Sequence, residues 1–414
     1  MPGERFRVGV NYWPARTAMS WWSQFDQAEV AADFARIAAA GLDSVRVFLT
    51  WEDFQPAPNK VDPKMLERLV VVADLAGALG LALVPTLFTG HMSGVNWIPA
   101  WALGGSDGDD RFRVVSRGTV ARGGLRNWYG DSSVLDAQAL LAAEAATALS
   151  GHDAVWAWDL GNENSNCVIP PTRASARAWL ARLRSAIRGA DEAALVTVGL
   201  HMEDLEEDRQ LGPREVSESC DLLSMHGYPI YARWADGPTD EQLLPFLARM
   251  TCWLGEGKEV LFSEFGLPTY RRGDPSERRA KGDTTPLVEE DAAAAYTTRA
   301  LEALRRAGCL GAMLWCYSDY EPALWQDPPL DLARHERTFG LWRSDGSPKP
   351  SVAAVAAGAG AERCAAEHSD AWIDIERDAF WSDPGGQLPR LYRRYQGAVQ
   401  QTGIRAIAQF EQEE

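Results

Sequence analysis

Two kinds of pattern alternate along this chain. Short, nearly continuous apolar runs read as strands: Phe6–Asn11, Ser44–Leu49, Leu81–Phe88, Ala154–Leu160, Leu195–Gly199, Leu222–His226, Glu259–Ser263 and Gly311–Cys316. Between them, apolar positions recur every three or four residues, which predicts amphipathic helices over 27–40, 62–79, 133–149, 172–188, 240–254, 288–307 and 351–357. Pro63 opens one of these helices, and Gly41, Gly80 and Gly308 close three. Strands that are apolar almost end to end call for a parallel sheet covered by helices. Eight strand–helix units close most simply as an α/β fold of the (β/α)8 barrel type. An open doubly wound sheet would want a glycine-rich phosphate turn after the first strand, where this chain has Asn11-Tyr12-Trp13-Pro14.

On this reading residues 1–357 form the barrel. Residues 358–414 form a C-terminal extension, whose segment Trp372–Tyr395 is aromatic enough to pack on it. Connections in α/β units usually take roughly 2–6 residues. Those over 89–132, 265–287 and 317–349 are far longer, and are expected to shape a site.

Composition then narrows the possibilities. The chain has 414 residues, 46% of them apolar, enough for a large core. No stretch approaches the roughly 18 uncharged apolar residues of a membrane span. With 58 acidic against 41 basic residues, a net charge of −17 repels phosphate backbones, so nucleic acid is not an expected partner. The 17 tryptophans matter more, because several stand beside Pro, Gly or Asp, where loops are expected. Indoles presented from loops suit sugar rings, although core packing accounts for many of them equally well. The six cysteines form no C-x-x-C pair and read as reduced, packed thiols, and Met1–Phe6 contains no apolar signal region. Both features suggest a cytoplasmic protein.

A barrel does its chemistry at the C-terminal ends of its strands. Here those ends carry Asn11, Arg46, His91, Asn162, Glu163, His226, Tyr228, Glu264, Trp315 and Asp319. No H-x-H or H-E-x-x-H cluster suggests a metal, no nucleotide motif suggests a cofactor, and no G-x-S-x-G elbow is present. Side-chain acid–base chemistry is left as the main option. Glu163 and Glu264 close the fourth and seventh strands, which face each other across the mouth of a barrel. Glycoside hydrolysis needs such a pair, one carboxyl to protonate the leaving group and one carboxylate to attack or to activate water.

In order along the chain, Arg46 in VRVF, Gly161-Asn162-Glu163, His226-Gly227-Tyr228-Pro229, Phe262-Ser263-Glu264-Phe265-Gly266 and Trp315 in MLWC resemble the motifs of clan A glycoside hydrolases. The resemblance is greatest to family 5, the cellulase and mannanase family, and spans roughly residues 6–357. It implies that Glu163 is the general acid and then base, and that Glu264 is the nucleophile, kept ionised by Arg46 and oriented by Tyr228. Asn162 would bind the sugar 2-hydroxyl, His226 would sit near the acid or the sugar, and Trp315 would floor the reacting ring. A histidine often follows strand three in this family, and His91 stands there. Asn11, Tyr12 and Trp13 end strand one, where aromatic sugar contacts are common. Trp51, Trp97, Trp101 and Trp128 are candidate subsites, with Asp319 and Glu321 placed to meet sugar hydroxyls.

The long loops would wall an open cleft into a pocket, and a polymer does not reach the cytoplasm intact. Both favour an exo-acting enzyme on short oligosaccharides. The wording GVNYWP, GHMSG, HGYP and SEFG is most similar to bacterial β-mannoside-cleaving members. The resemblance therefore implies a retaining β-mannosidase acting on terminal β-mannosyl units. An endo-β-1,4-mannanase or β-1,4-glucanase is the alternative within the class, a transglycosylase shares the intermediate, and a non-catalytic sugar-binding barrel is the alternative outside it.

Overall fold

The computed structural model describes residues 5–106, 111–273, 285–366 and 370–413, with side chains described as far as 401. Eight parallel strands close a barrel. They are β1 (Arg7–Asn11), β2 (Ser44–Phe48), β3 (Ala82–Thr86), β4 (Trp158–Asn162), β5 (Val196–Leu200), β6 (Leu223–His226), β7 (Val260–Phe265) and β8 (Gly311–Leu314). Each strand pairs with its neighbours in chain order, and β8 pairs back to β1, with Arg7 opposite Gly311 and Val10 opposite Leu314. The (β/α)8 barrel expected from the apolar pattern is the fold observed.

The outer helices are α1 (Gln27–Ala39), α2 (Pro63–Ala78), α3 (Ser132–Ala148), α4 (Arg173–Arg188), α5 (Pro213–Ser219), α6 (Leu243–Leu254), α7 (Glu290–Arg306) and α8 (Pro350–Gly358). Their starts follow from local chemistry. The carboxylates of Asp26, Asp62 and Asp131 accept backbone N–H groups in the first turns of α1, α2 and α3, and Thr172 and Ser175 form a capping box at α4. Gly41, Gly80 and Gly308 take φ values of 84°, 68° and 86°, ending three helices where the sequence placed them.

Three details differ from the sequence pattern. β4 begins at Trp158 rather than Ala154 and runs on through Asp159 and Asn162, polar strand residues whose partners lie inside the barrel. The connection 201–222 holds two short helices, Glu203–Glu206 and α5, in a stretch too polar to display a helical period. The 89–132 connection is folded, with Gly90–Met92, Val95–Trp97, Arg113–Ser116 and Thr119–Ala121 forming a small four-stranded sheet.

Beyond α8, Trp372, Tyr392 and Tyr395 pack around Phe246 of α6, and the Tyr392 hydroxyl donates to Asp240 at 2.5 Å. The tyrosines belong to a last helix, α9 (Pro384–Glu413). Among the described residues no helix is long and apolar enough to cross a membrane.

Candidate active site

The site is built on one buried cation. Arg46 lies in β2 with its side chain inside the barrel, wholly shielded from solvent. Isolating a guanidinium there would cost several kcal/mol, and the neighbouring strands answer each of its donors. Nε reaches Thr86 (2.9 Å) and Asp159 (3.0 Å), Nη1 reaches Asn11 (3.0 Å) and Glu264 (2.5 Å), and Nη2 reaches Asp159 (2.6 Å) and Asn162 (2.7 Å). The second oxygen of Asp159 accepts the backbone N–H groups of Gly161 and Gly199. Strands β1, β2, β3, β4, β5 and β7 are thus tied to one planar fork, and the carboxylate of Glu264 is fixed in place by it.

Glu163 faces Glu264. It follows β4 in a left-handed conformation, with φ of 47°, which a non-glycine residue holds only when its surroundings impose it. Here its own N–H is bound by the carbonyl of Gly199 at 3.0 Å. His226, at the end of β6, stands between the carboxyls, with Nδ1 2.9 Å from Glu163 and 3.6 Å from Glu264. A Cβ on Gly199 would come within 3.1 Å of this imidazole, so any larger residue there would press the ring away from β5 by a few tenths of an ångström. The Tyr228 hydroxyl donates to the other oxygen of Glu264 at 2.9 Å, and Asn166 Nδ2 donates to Glu163 at 3.4 Å. One oxygen of each glutamate and a ring nitrogen of His226 all lie within 4.8 Å of one another. Such a group could also hold a cation, but the guanidinium already on Glu264 opposes a second positive charge there.

Burial pushes the Glu264 carboxyl up; His226 and Arg46 oppose this and the charge of Glu163 adds to it. Burial acts on Glu163 in the same sense, but positive charge on His201, His226 and His91 draws it below the usual carboxylate range. Part of that pull is the hydrogen bond from His226 at 2.9 Å. His91 is itself pushed down by burial, so its part in this pull is lost first as pH rises.

A cavity of about 350 Å³ opens above the pair. Of the residues singled out in the sequence, His91, Asn162, Glu163, His226, Tyr228, Glu264 and Trp315 line it. Arg46 lies beneath the floor and acts through Glu264. Asn11 is also below, donating to the carbonyls of Ser263 and Leu314 and accepting from Arg46. Trp13 is fully buried and stacked on Phe48, with centroids 5.0 Å apart. Trp51 and Trp128 pack edge to face with each other and, through Trp51, with Phe88 and Trp101. None of these indoles lines the cavity, and Trp51 and Trp128 pack into the core of the long β3 connection. Trp97 and Trp101 lie outside the lining as well, as does Glu321. Asp319 pairs with Lys349 at 2.7 Å and accepts the Gly340 N–H at 2.9 Å, and burial pushes its carboxyl up to about 6 against the pull of Lys349.

The lining also includes Ser93, Asn166, His201, Glu203, Tyr231, His335 and Glu336, none of which the sequence pattern singles out. Asp159 left a signal, a charged residue inside an apolar strand. The others stand in the connections that follow barrel strands, Glu203 in a short helix and Ser93 within GHMSG, where polar residues are ordinary.

No family model matches the chain. The putative mannan endo-1,4-β-mannosidase 5 of Oryza sativa subsp. japonica is 27% identical over 325 residues, covering 69% of this chain and 62% of the relative. The chain therefore spans about three fifths of that curated relative's length. Among solved structures, the exo-β-1,4-mannosidase Op5Man5 from Opitutaceae bacterium strain TAV5 is 27% identical with a TM-score of 0.68, over 86% of this chain and 59% of that one. A family 5, subfamily 18 glycoside hydrolase from Streptomyces cattleya, in complex with Manβ1-4GlcNAc, is 24% identical with a TM-score of 0.69, over 85% of this chain and 80% of that one. The fold is that of the (β/α)8 glycoside hydrolases. Within that class, the likeness to glycoside hydrolase family 5 holds in structure as well as in sequence.

Proposed function

We propose that this chain is a retaining, exo-acting β-mannosidase that removes terminal β-mannosyl units from short oligosaccharides. The observation that carries this is a pocket whose base holds two close carboxyls and whose walls are loops tied to one another. From the β3 connection, Ser93 donates to Glu336 at 3.0 Å, and Arg113 makes a two-pronged pair with Asp331 at 2.7 and 2.8 Å. Both partners stand in the loop after β8. From the β6 loop, the Tyr231 hydroxyl meets His335 at 2.9 Å. Loops tied in this way favour entry by the end of a chain over its middle.

In the proposed reaction Glu163 protonates the glycosidic oxygen while an oxygen of Glu264 attacks the anomeric carbon, forming a glycosyl ester and releasing the leaving sugar. Glu163, now a carboxylate, takes a proton from water, which attacks the same carbon and frees Glu264. Carboxyls about 5–5.5 Å apart suit this double displacement; the wider spacing of inverting enzymes makes room for a water. Asn162 uses Oδ1 on Arg46 and one N–H on the His91 carbonyl at 2.5 Å, leaving a second N–H for a sugar hydroxyl. Trp315 supplies the apolar face under the ring.

The mannoside preference rests on what the similar proteins are named for or hold: an exo-β-1,4-mannosidase, a mannanase and a Manβ1-4GlcNAc complex. The alternative, an endo-mannanase, is favoured by the name of the rice relative. Turnover of aryl β-mannoside beside aryl β-glucoside, with product sizes from mannohexaose, decides between them. Release of single mannose units supports the exo-mannosidase, and internal cuts replace it with the endo enzyme. The six cysteines, all free, fit a cytoplasmic location. We read residues 1–357 as the catalytic barrel and 358–414 as an extension that buttresses α6.

A further inference from the structure

We propose that Glu336 fixes the non-reducing end of the substrate, by accepting a hydrogen bond from a hydroxyl of the terminal sugar remote from the bond that breaks. This rests on the exo-glycosidase function proposed above and specifies how its pocket recognises a chain end.

Glu336 comes from the loop after β8, is 5% exposed, and stands on the cavity wall beside Trp315. Its two oxygens are unequally served. Oε2 accepts from Trp315 Nε1 at 3.2 Å and from Ser93 Oγ at 3.0 Å. Oε1 has contacts only at 3.4 Å, to the Tyr231 hydroxyl and to His335 Nε2, and those two groups bond each other at 2.9 Å. Among the described residues no arginine or lysine pairs with Glu336, in contrast to Glu264. Oε1 is thus the more weakly bound of the two oxygens, and a closer donor from a ligand would strengthen its hydrogen bonding. Sugar hydroxyls are such donors.

Its position gives the direction of the chain. The leaving group departs on the side of the general acid, where Asn166, His201 and Glu203 line the wall. Glu336 stands on the β8 side, held by residues of the β3 and β6 loops, where a continuing chain would have to pass.

The test uses the full chain with Glu336→Ala and Glu336→Gln. The substrates are the aryl β-glycoside that wild type turns over fastest and its 3-, 4- and 6-deoxy analogues. Wild type should lose about 10- to 100-fold in kcat/KM when one of these hydroxyls is removed, as for a hydrogen bond to a charged group. Glu336→Ala should lose a similar factor on the parent glycoside and become indifferent to that hydroxyl, while Glu336→Gln keeps part of the discrimination. A uniform loss on all four substrates would overturn the assignment and leave Glu336 a tie between loops. If the alanine variant fails to fold, the glutamine variant decides on the same panel, since unchanged discrimination there also rejects the proposal. Internal cutting of mannohexaose by wild type overturns the exo function itself, whereas single-mannose release with uniform loss overturns only the role of Glu336.

Discussion

The two walls of the pocket hold their glutamates by different means. On the β7 side, Glu264 is held by a guanidinium that never loses its charge and by a phenol hydroxyl. On the β4 side, Glu163 faces imidazoles, with His226 at 2.9 Å and His201 and His91 acting through charge. The cation beside Glu264 therefore keeps its charge, although burial still pushes that carboxyl up, and the imidazole wall is the adjustable one. A double displacement asks for this asymmetry: the nucleophile must stay an anion, while the acid–base partner gives and takes a proton in each cycle.

Removing the groups one at a time sharpens the contrast. Glu264→Ala should lower kcat by at least about 10⁴-fold with the thermal melt little changed, since no other group can form the ester; retained turnover would end its assignment as nucleophile. Arg46→Lys should cost about 10²-fold or more, because an ammonium cannot serve Glu264, Asp159 and Asn162 together. With that support weakened the Glu264 carboxyl rises further, so the acid limb of kcat/KM should move to higher pH. Arg46→Met goes further and leaves Asp159 and Glu264 buried without their cation. It should destabilise the fold by about 3–5 kcal/mol, read by denaturant unfolding. Tyr228→Phe removes one donor to the Glu264 anion. A loss of about tenfold in kcat is expected, again with the acid limb moved up. The smallest effect belongs to the adjustable wall. His201→Gln removes a group whose electrostatic influence draws Glu163 down, so the acid should keep its proton to higher pH and the basic limb should move up with kcat little altered. A basic limb that stays in place would mean that His201 does not tune the acid.

The chain itself displays the barrel because its strands are apolar on both faces, and a parallel barrel under helices is the arrangement that buries them. The glutamates are legible because each ends such a strand, beside Asn162 in one case and within Ser263-Glu264-Phe265 in the other. What stayed hidden has physical reasons too. Trp51 and Trp128 look like loop aromatics offered to a ligand, but the β3 connection is long enough to form a core of its own, and they fill it. Asp319 looks like a free acid until Lys349, thirty positions on, folds back onto it. Glu336 lies in a polar stretch, His335-Glu336-Arg337-Thr338, where nothing in the pattern tells a buried carboxyl from a solvated one.

On the proposed exo action, the ties between the loops bear on how a long substrate would be consumed. With Ser93 bound to Glu336 and Arg113 to Asp331, a chain that enters end-on must also leave end-on. The freed monosaccharide sits behind the shortened chain and cannot depart until that chain has withdrawn. On that reading each cut ends an encounter, and digestion is distributive. A hexasaccharide passes through the penta-, tetra- and trisaccharide in free solution, and a competing acceptor or enzyme can take any of them on the way down.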